Sequence, residues 1–534
     1  MTNSKMSRFI TGGILALSCF LLFITLHKNS DQYRYSELIL SVDQYASLKS
    51  GKTESSEDLI TRLTFNELPA FYDCLTGRWL SSVSGKENNS SPSVGYAPAN
   101  KNVRIAFRGN FPCGSEIPFL AYDENVYREY RLAATTLPLA RIEYQKKEIT
   151  RDPLPMRFTL LDNRLNAGNP VTESEGFFHL RGWSTVIFPK NAFRLTLTEQ
   201  REGKEAHENK TSLLDLRNDG DWLLYPAYND SEKIRNVFSS NLWFNSCGSD
   251  NSFGIQNGME YRYIELFLND EYWGLYALGY PVDALQMNIF PNNRGHYDEF
   301  LFKAKEWGPH HESNPEYDGL ILQFDAPESD LNNGIGIMKS YFQQLEDGAP
   351  GRLYHNDEKN VLDIWLYMKL IQAWDTVRFP GKMKNMMYTI KMSDTGRKIL
   401  YAPWDMDIAW GNIIGGAGKN FTLSYFLEPD DNSYEMTVNP VSVLLQQNDS
   451  EIRQKICQRY HELRSDGWSD TAVDSMLDSF EKDIFDSGAY QRDIERWPDC
   501  SRQDPDLKLS AFRNYVHLRF TAMDAFMDDM EKGK

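Results

Sequence analysis

Apolar residues follow a two-residue rhythm through the middle of this chain and a three- and four-residue rhythm through its second half. From Leu137 onward, segments 139–144, 156–160, 177–181 and 192–197 read as strands. Segments 261–268 and 272–278 predict a hairpin around Asn269 and Asp270, a turn pair that tolerates positive φ. Segment 300–303 is one more short strand. After about residue 311 the spacing becomes helical, in 338–346, 361–374, 442–447, 452–464, 471–485 and 511–530. Two β features interrupt it, a hairpin over 378–389 and an apolar run over 399–402. Pro403 ends that run, because proline has no N–H for a ladder. The pattern predicts an α+β chain, β-rich first and mainly helical afterwards, with no internal repeat.

The front of the chain is different. Residues 9–26 form an uncharged apolar run of about 27 Å as a helix, just enough to span a bilayer. Lys5 and Arg8 precede it, which predicts a cytoplasmic N-terminus, a single transmembrane helix and a main body outside the cytoplasm. A cleaved signal peptide is the rival, but no small-x-small site follows Leu26. Residues 28–100 are polar with little rhythm, and 86–92 reads as loop or disordered linker. Four units follow: an anchor over 1–30, a polar leader over 31–136, a β-rich lobe over 137–310 and a mainly helical lobe over 311–534.

Composition narrows the function. With 534 residues, 41% hydrophobic and 13% aromatic, the chain can bury a large core. Its net charge of −18 argues against a nucleic-acid partner, which needs a basic face. An anionic nucleotide would need a locally basic pocket or a metal. The six cysteines include no C-x-x-C, so no structural zinc site is expected. Their pairing is not set by spacing; Cys74 with Cys113 is the pair to test first.

The strongest chemistry lies in 398–412, where Asp405 and Asp407 sit among Trp404, Met406, Ile408 and Trp410. Strand-like alternation would aim both carboxylates one way and the apolar residues the other. Two acids in an apolar frame are costly unless a cation sits between them, and a hard divalent ion suits oxygen ligands. A bare D-x-D also reads as an acidic strand end facing solvent. Asp375, then Asn385, precede this pair in the order a phosphoryl-transfer site needs, a base and then metal oxygens. Arg181, Ser184 and Lys190 lie around a Gly/Ser turn between two strands, where backbone N–H groups and charge can cradle phosphate. That turn also reads as an ordinary hairpin. Asp230 or Ser231 is expected to cap a helix with Lys233 in its first turn. No Walker A loop, H-E-x-x-H or G-x-S-x-G is present.

Taken in order, the pieces resemble the CotH kinase family, named for spore coat protein H and remotely related to protein kinases. The resemblance rests on Arg181-Gly182 with Ser184-Thr185, Pro189-Lys190 with Phe193-Arg194, and Asp230 with Arg235-Asn236. It continues through Leu268-Asn269, 272–276, Lys384-Asn385 and 403–407 with Gly411. It implies a bilobal, protein-kinase-like fold and ATP-dependent phosphorylation of serine or threonine on secreted or surface proteins, with Mg²⁺ or Mn²⁺. By resemblance Asp375 is the catalytic aspartate, and Asp405 with Asp407 holds metal. Asn385 is expected beside them, and Arg181, Ser184 and Lys190 against the nucleotide phosphates. Three positions depart from the family pattern: Trp183, Asn191, and Tyr280 where a lysine-orienting glutamate is usual. They motivate a second reading, a catalytically silent surface protein on the same fold. A third is a D-x-D metal-dependent glycosyltransferase.

Overall fold

The alternating first half closes into a barrel. In the computed structural model, the described residues are 32–533 apart from 85–90, 113, 165–168, 183, 200–206, 306–318, 349–354, 378–383, 413–422, 424–426 and 428–438. The barrel strands are Leu139–Tyr144, Leu154–Leu161, Val171–Arg181, Ala192–Glu199, Asp221–Tyr225, Tyr261–Leu268 and Glu271–Gly279. The first two and the third pair antiparallel in sequence order, and Val171–Arg181 pairs with Ala192–Glu199. Ala192–Glu199 then meets Asp221–Tyr225, which meets Glu271–Gly279, the partner of Tyr261–Leu268. A parallel pairing of Leu139–Tyr144 with Tyr261–Leu268 completes the ring. Asn269 makes the expected turn at φ 52°.

Inward-facing Ile142, Phe158, Phe178, Phe193, Trp222 and Tyr276 fill the barrel. Each buried side chain of this size contributes about 1.5–3 kcal/mol of hydrophobic stabilisation. Tyr280 belongs to the same core, with Arg217 against its ring. At Gly176 two backbones come so close that a Cβ would meet Thr196 O at 2.3 Å. Any other residue there would spread strand Val171–Arg181 from Ala192–Glu199.

Residues 31–136, expected as a polar leader, carry two sheets instead. Leu63, Phe65, Phe107, Phe119 and Tyr130 form their own core. Apart from Glu116–Tyr122 and Val126–Thr135 the strands are six residues or shorter, so little period-two signal reaches the sequence. This unit leans on the barrel, where Phe71 packs edge-on to Phe267, and on helix Ala489–Arg496, where Arg78 reaches Glu495 at 2.9 Å.

Beyond the barrel, Leu320–Leu322, Phe300–Ala304, Met386–Ser393 and Gly396–Pro403 form a four-stranded sheet in that order. The predicted hairpin is therefore 386–403; 378–383 lie outside the described residues. Helices Glu328–Glu346, Glu358–Ile371, Pro440–Gln446, Ser450–Ser465, Asp470–Glu481, Ala489–Arg496 and Ser510–Glu531 give the helical half. The helix expected over 361–374 stops at Ile371, where Gln372 turns left-handed at φ 56°. The one expected over 471–485 yields after Glu481 to a π-turn, Lys482–Asp486.

Among the described residues no helix is long and apolar enough to cross a membrane, and residues 9–26 lie outside them. Cys74 is exposed and free, so it is not in the bridge proposed for it; Cys113 lies outside the described residues. Cys247, Cys457 and Cys500 are buried and free.

Candidate functional site

One end of the barrel faces the four-stranded sheet, and a cavity there is lined by Arg181, Gly182, Lys190, Tyr225, Asp405 and Asp407. A larger cavity, about 470 Å³, lies between helix Glu328–Glu346 and the tip of the 386–403 hairpin, lined by Ser340, His355 and Arg397 among others. It holds no carboxylate, whereas the smaller cavity carries Asp405 and Asp407 beside Arg181 and Lys190.

The sheet aligns the acidic residues. Ala304, Met386 and Pro403 lie side by side in register. The chain leaves the sheet there through Asn385 and Trp404: Asn385 N donates to Ala304 O at 2.9 Å, and Trp404 N donates to Asn385 O at 3.0 Å. Asn385 and Asp405 are both left-handed, at φ 55° and 60°. The regular strand stops at Pro403, but the expected in–out alternation continues in the burial of 404–408. Asp405 is exposed toward the cavity, Asp407 half-buried, and Trp404 and Met406 are inside. Met406 N donates to Asn236 Oδ1 at 2.8 Å, which ties the acidic loop to helix Arg235–Ser246. Asp230 caps that helix by accepting Arg235 N at 2.6 Å. Lys233 is not in the first turn; it precedes the helix at φ 63° and donates to Ser501 O.

Asp375 lies in the short helix Trp374–Val377. Asn385 Nδ2 donates to Asp375 Oδ2 at 3.1 Å, and Lys384 Nζ reaches the same oxygen at 2.8 Å. The structure thus joins Asp375 and Asn385 directly, and brings Asp405 and Asp407 within their electrostatic reach. Burial raises the Asp375 carboxyl, Lys384 opposes this, and Asp405 adds to it. Burial also pushes Asp407 well above the usual carboxylate range, reinforced by Asp405, Asp375 and Asp230. The neighbouring Tyr225 phenol is driven up by burial and then by Asp407, Asp230 and Asp405.

This repulsion is what a bound cation would relieve. Among the described residues no three His, Cys, Asp or Glu side chains form a metal cage. Two carboxylates and an amide suit Mg²⁺, which keeps waters and takes substrate phosphates rather than an all-protein shell. The residues present therefore fit a hard divalent ion.

The cationic side divides. Lys190 is fully buried, and its ammonium donates to Pro226 O and Leu275 O at 2.7 Å and to Asp493 Oδ1 at 2.6 Å. All three protons are thus spent on the protein. Burial lowers its pKa to about 8, against the pull of Asp493. Asp493, from helix Ala489–Arg496, supplies the carboxylate that Tyr280 cannot, since Tyr280 is inside the barrel. Arg181 ends its barrel strand and places its guanidinium 5.2 Å from the Trp404 ring centre. Ser184 opens the 3₁₀ turn Ser184–Ile187; its side chain lies outside the described residues.

Two residues here escape the sequence motifs. Lys303 lies 4.1 Å from the Trp404 ring centre. Burial lowers its pKa to about 7, Arg181 adds to this, and Asp405 opposes it. Its only sequence signal is a cation in an otherwise apolar strand, Phe300–Ala304. Asp493 stands 303 residues from Lys190 and has no local signal at all.

A search of curated proteins found no match. A scan of protein families matches the CotH kinase protein description over residues 178–523, from the barrel wall to the last helix. That span holds every acidic residue of the cavity and covers more than half of the chain, and so the chain belongs to the CotH kinase family.

Proposed function

We propose that this chain is an ATP-dependent phosphotransferase that modifies serine or threonine hydroxyls of secreted or surface proteins. The observation that carries it is the meeting of Asp375, Asn385, Asp405 and Asp407, with the Asp407 carboxyl raised by burial and by its acidic neighbours. On this reading the barrel and the helical half are the two lobes of a kinase-like plan, with the cleft between them. Asp405 and Asp407 would hold Mg²⁺ or Mn²⁺, with Asn385 beside them, and the ion would supply positive charge against the phosphates. Asp375 accepts the proton of the acceptor hydroxyl. Its partial desolvation raises its basicity, and Lys384 and Asn385 fix its orientation. Residues 9–26 would anchor the body outside the cytoplasm.

The full chain with radiolabelled ATP, Mg²⁺ or Mn²⁺ and a generic protein acceptor is expected to transfer label, and Asp405→Ala to abolish the transfer. Equal labelling by that variant would refute the assignment.

One observation favours a silent kinase-like binding protein instead. Lys190, the motif lysine, is already saturated by Asp493 and two carbonyls. Absence of thermal stabilisation by millimolar ATP with either metal would select that reading. The glycosyltransferase alternative predicts stabilisation by a UDP-sugar and none by ATP.

A further inference from the structure

We infer that Cys500 and Lys233 form an oxidative modification site, at which a peroxide converts the thiol to a sulfenic acid and the lysine amine closes on it as a sulfur–nitrogen cross-link. The inference does not depend on the phosphotransfer reading.

The buried free thiols differ in what they touch. Cys247 lies 3.4 Å from Ser246 Oγ, and Cys457 lies 4.0 Å from Met527 O. Cys500 Sγ instead lies 3.3 Å from Lys233 Nζ. Both side chains are inside, with Lys233 1% and Cys500 5% exposed. Lys233 is held from both ends: Tyr263 Oη donates to its backbone O at 2.6 Å, and its ammonium donates to Ser501 O at 2.7 Å. The approach of nitrogen to sulfur is therefore built into the fold. A buried ammonium is ordinarily matched by a carboxylate in direct contact, as Lys391 is by Glu299 and Lys190 by Asp493. Lys233 meets a carboxylate oxygen, Asp493 Oδ2, at 4.0 Å, and a thiol, a weak acceptor, lies closer.

Asp493 supplies a second observation, independent of the sulfur. Its Oδ1 accepts from Lys190 Nζ and Leu275 N, whereas its Oδ2 is buried without a hydrogen-bond donor. A buried carboxylate oxygen left without a donor calls for a role. Facing the Lys233 ammonium, this one is placed to take its proton and so release a nucleophilic amine.

The atoms and electrons balance. Cys500 Sγ attacks one oxygen of hydrogen peroxide; an S–O bond forms, the O–O bond breaks, and the thiol proton leaves with the other oxygen as water. Sulfur loses an electron pair and the peroxide gains it. Lys233 passes a proton to Asp493 Oδ2, and its amine attacks the sulfenic sulfur. An S–N bond forms, the S–O bond breaks, and the hydroxyl departs as water with one amine proton.

Placement gives the oxidant a route and the link a consequence. Pro498, Asp499, Ser501 and Arg502 around Cys500 are exposed, so a small oxidant has a short way in. The cross-link ties the residue just before helix Arg235–Ser246 to the turn after helix Ala489–Arg496. Tyr228 and Asn229, in the same approach to that helix, line the acidic cavity, so the link clamps the back of its wall.

The test exposes the folded full chain to dilute hydrogen peroxide, digests it and maps the peptides by mass spectrometry. A pair of peptides joined through Lys233 and Cys500 is expected, lighter than their sum by two hydrogens and released by dithiothreitol. Lys233→Gln and Cys500→Ser each abolish the pair, and in Lys233→Gln the thiol proceeds to the sulfinic acid, which dithiothreitol does not reverse. Cys457→Ser, altered at another buried thiol, keeps the pair. The oxidised parent is expected to melt about 2 °C or more above the reduced one, since the link closes a long loop of the unfolded chain. Absence of the joined pair at a peroxide dose that oxidises the exposed Cys74 overturns the site, and that result needs no variant to fold. So does a pair that forms equally in denaturant, because the folded approach of Nζ to Sγ then plays no part. An oxidised parent that carries the pair and melts no higher overturns the clamp.

Discussion

The acidic wall of the cleft and the Lys190 network lie close together yet are balanced in opposite ways. At Lys190 all three ammonium protons are taken within the protein, by Asp493, Pro226 O and Leu275 O. At Asp405 and Asp407 negative charge accumulates, and burial adds to its cost. A saturated network of this kind holds elements together, here helix Ala489–Arg496 against the barrel. An unbalanced one waits for a ligand. Side-chain type alone would rank Lys190 and Asp405 as equal site candidates; the balance of partners separates them.

The sharpest way to break the comparison is on the acidic side. Asp375→Asn keeps the shape of the site and removes the proposed proton acceptor. Steady-state labelling is expected to fall about 10²–10⁴-fold in kcat with little change in the KM for ATP. A fall in affinity instead would make Asp375 a binding residue.

The matched side should answer in stability. Asp493→Ala leaves the Lys190 ammonium buried without its counter-charge and is expected to cost about 3–5 kcal/mol in denaturant unfolding. The pair Lys190→Met with Asp493→Leu should recover much of that loss. A stable, fully active Asp493→Ala protein would show that the network carries no structural load.

The pH dependence tests the imbalance itself. The folded-state pKa of Asp407 lies above its unfolded value, so the folded state holds the proton more tightly. Its contribution is therefore present below the unfolded pKa and is lost as pH rises through the folded one. In metal-free protein, melting temperature should fall on raising pH across that range. Asp407→Asn should flatten the profile, and Mg²⁺ or Mn²⁺ should raise the alkaline end. A profile unchanged by the substitution would remove Asp407 from the unbalanced set.

The smallest effect concerns Asn191, where the family pattern often has lysine. Its amide donates to Val186 O and Phe188 O, at 3.3 and 2.7 Å, so it secures the turn beside the cavity. Asn191→Ala is expected to cost about 1 kcal/mol in stability, with ATP-dependent labelling retained.

Much of this was legible in the chain. The barrel strands from Leu139 onward, the Asn269 turn and the late helices have strong periodicity and conform to it. The unit built from residues 33–135 was not legible, because most of its strands are too short to leave a rhythm. Asp375, Asn385, Asp405 and Asp407 could be read in order because they lie at element ends close in sequence, where strands and helices stop and polar residues become affordable. Lys303 and Asp493 could not be read, since their meaning depends on which side chains they meet.

By itself, then, the sequence determined the β-before-α order, the family and the acidic residues, because these follow from local periodicity and from motifs within short reach. Only the tertiary structure decided that Lys190 is spent within the protein. A charge's role depends on burial and on the nearest opposite charge, and for Lys190 that partner arrives from 303 residues further along the chain.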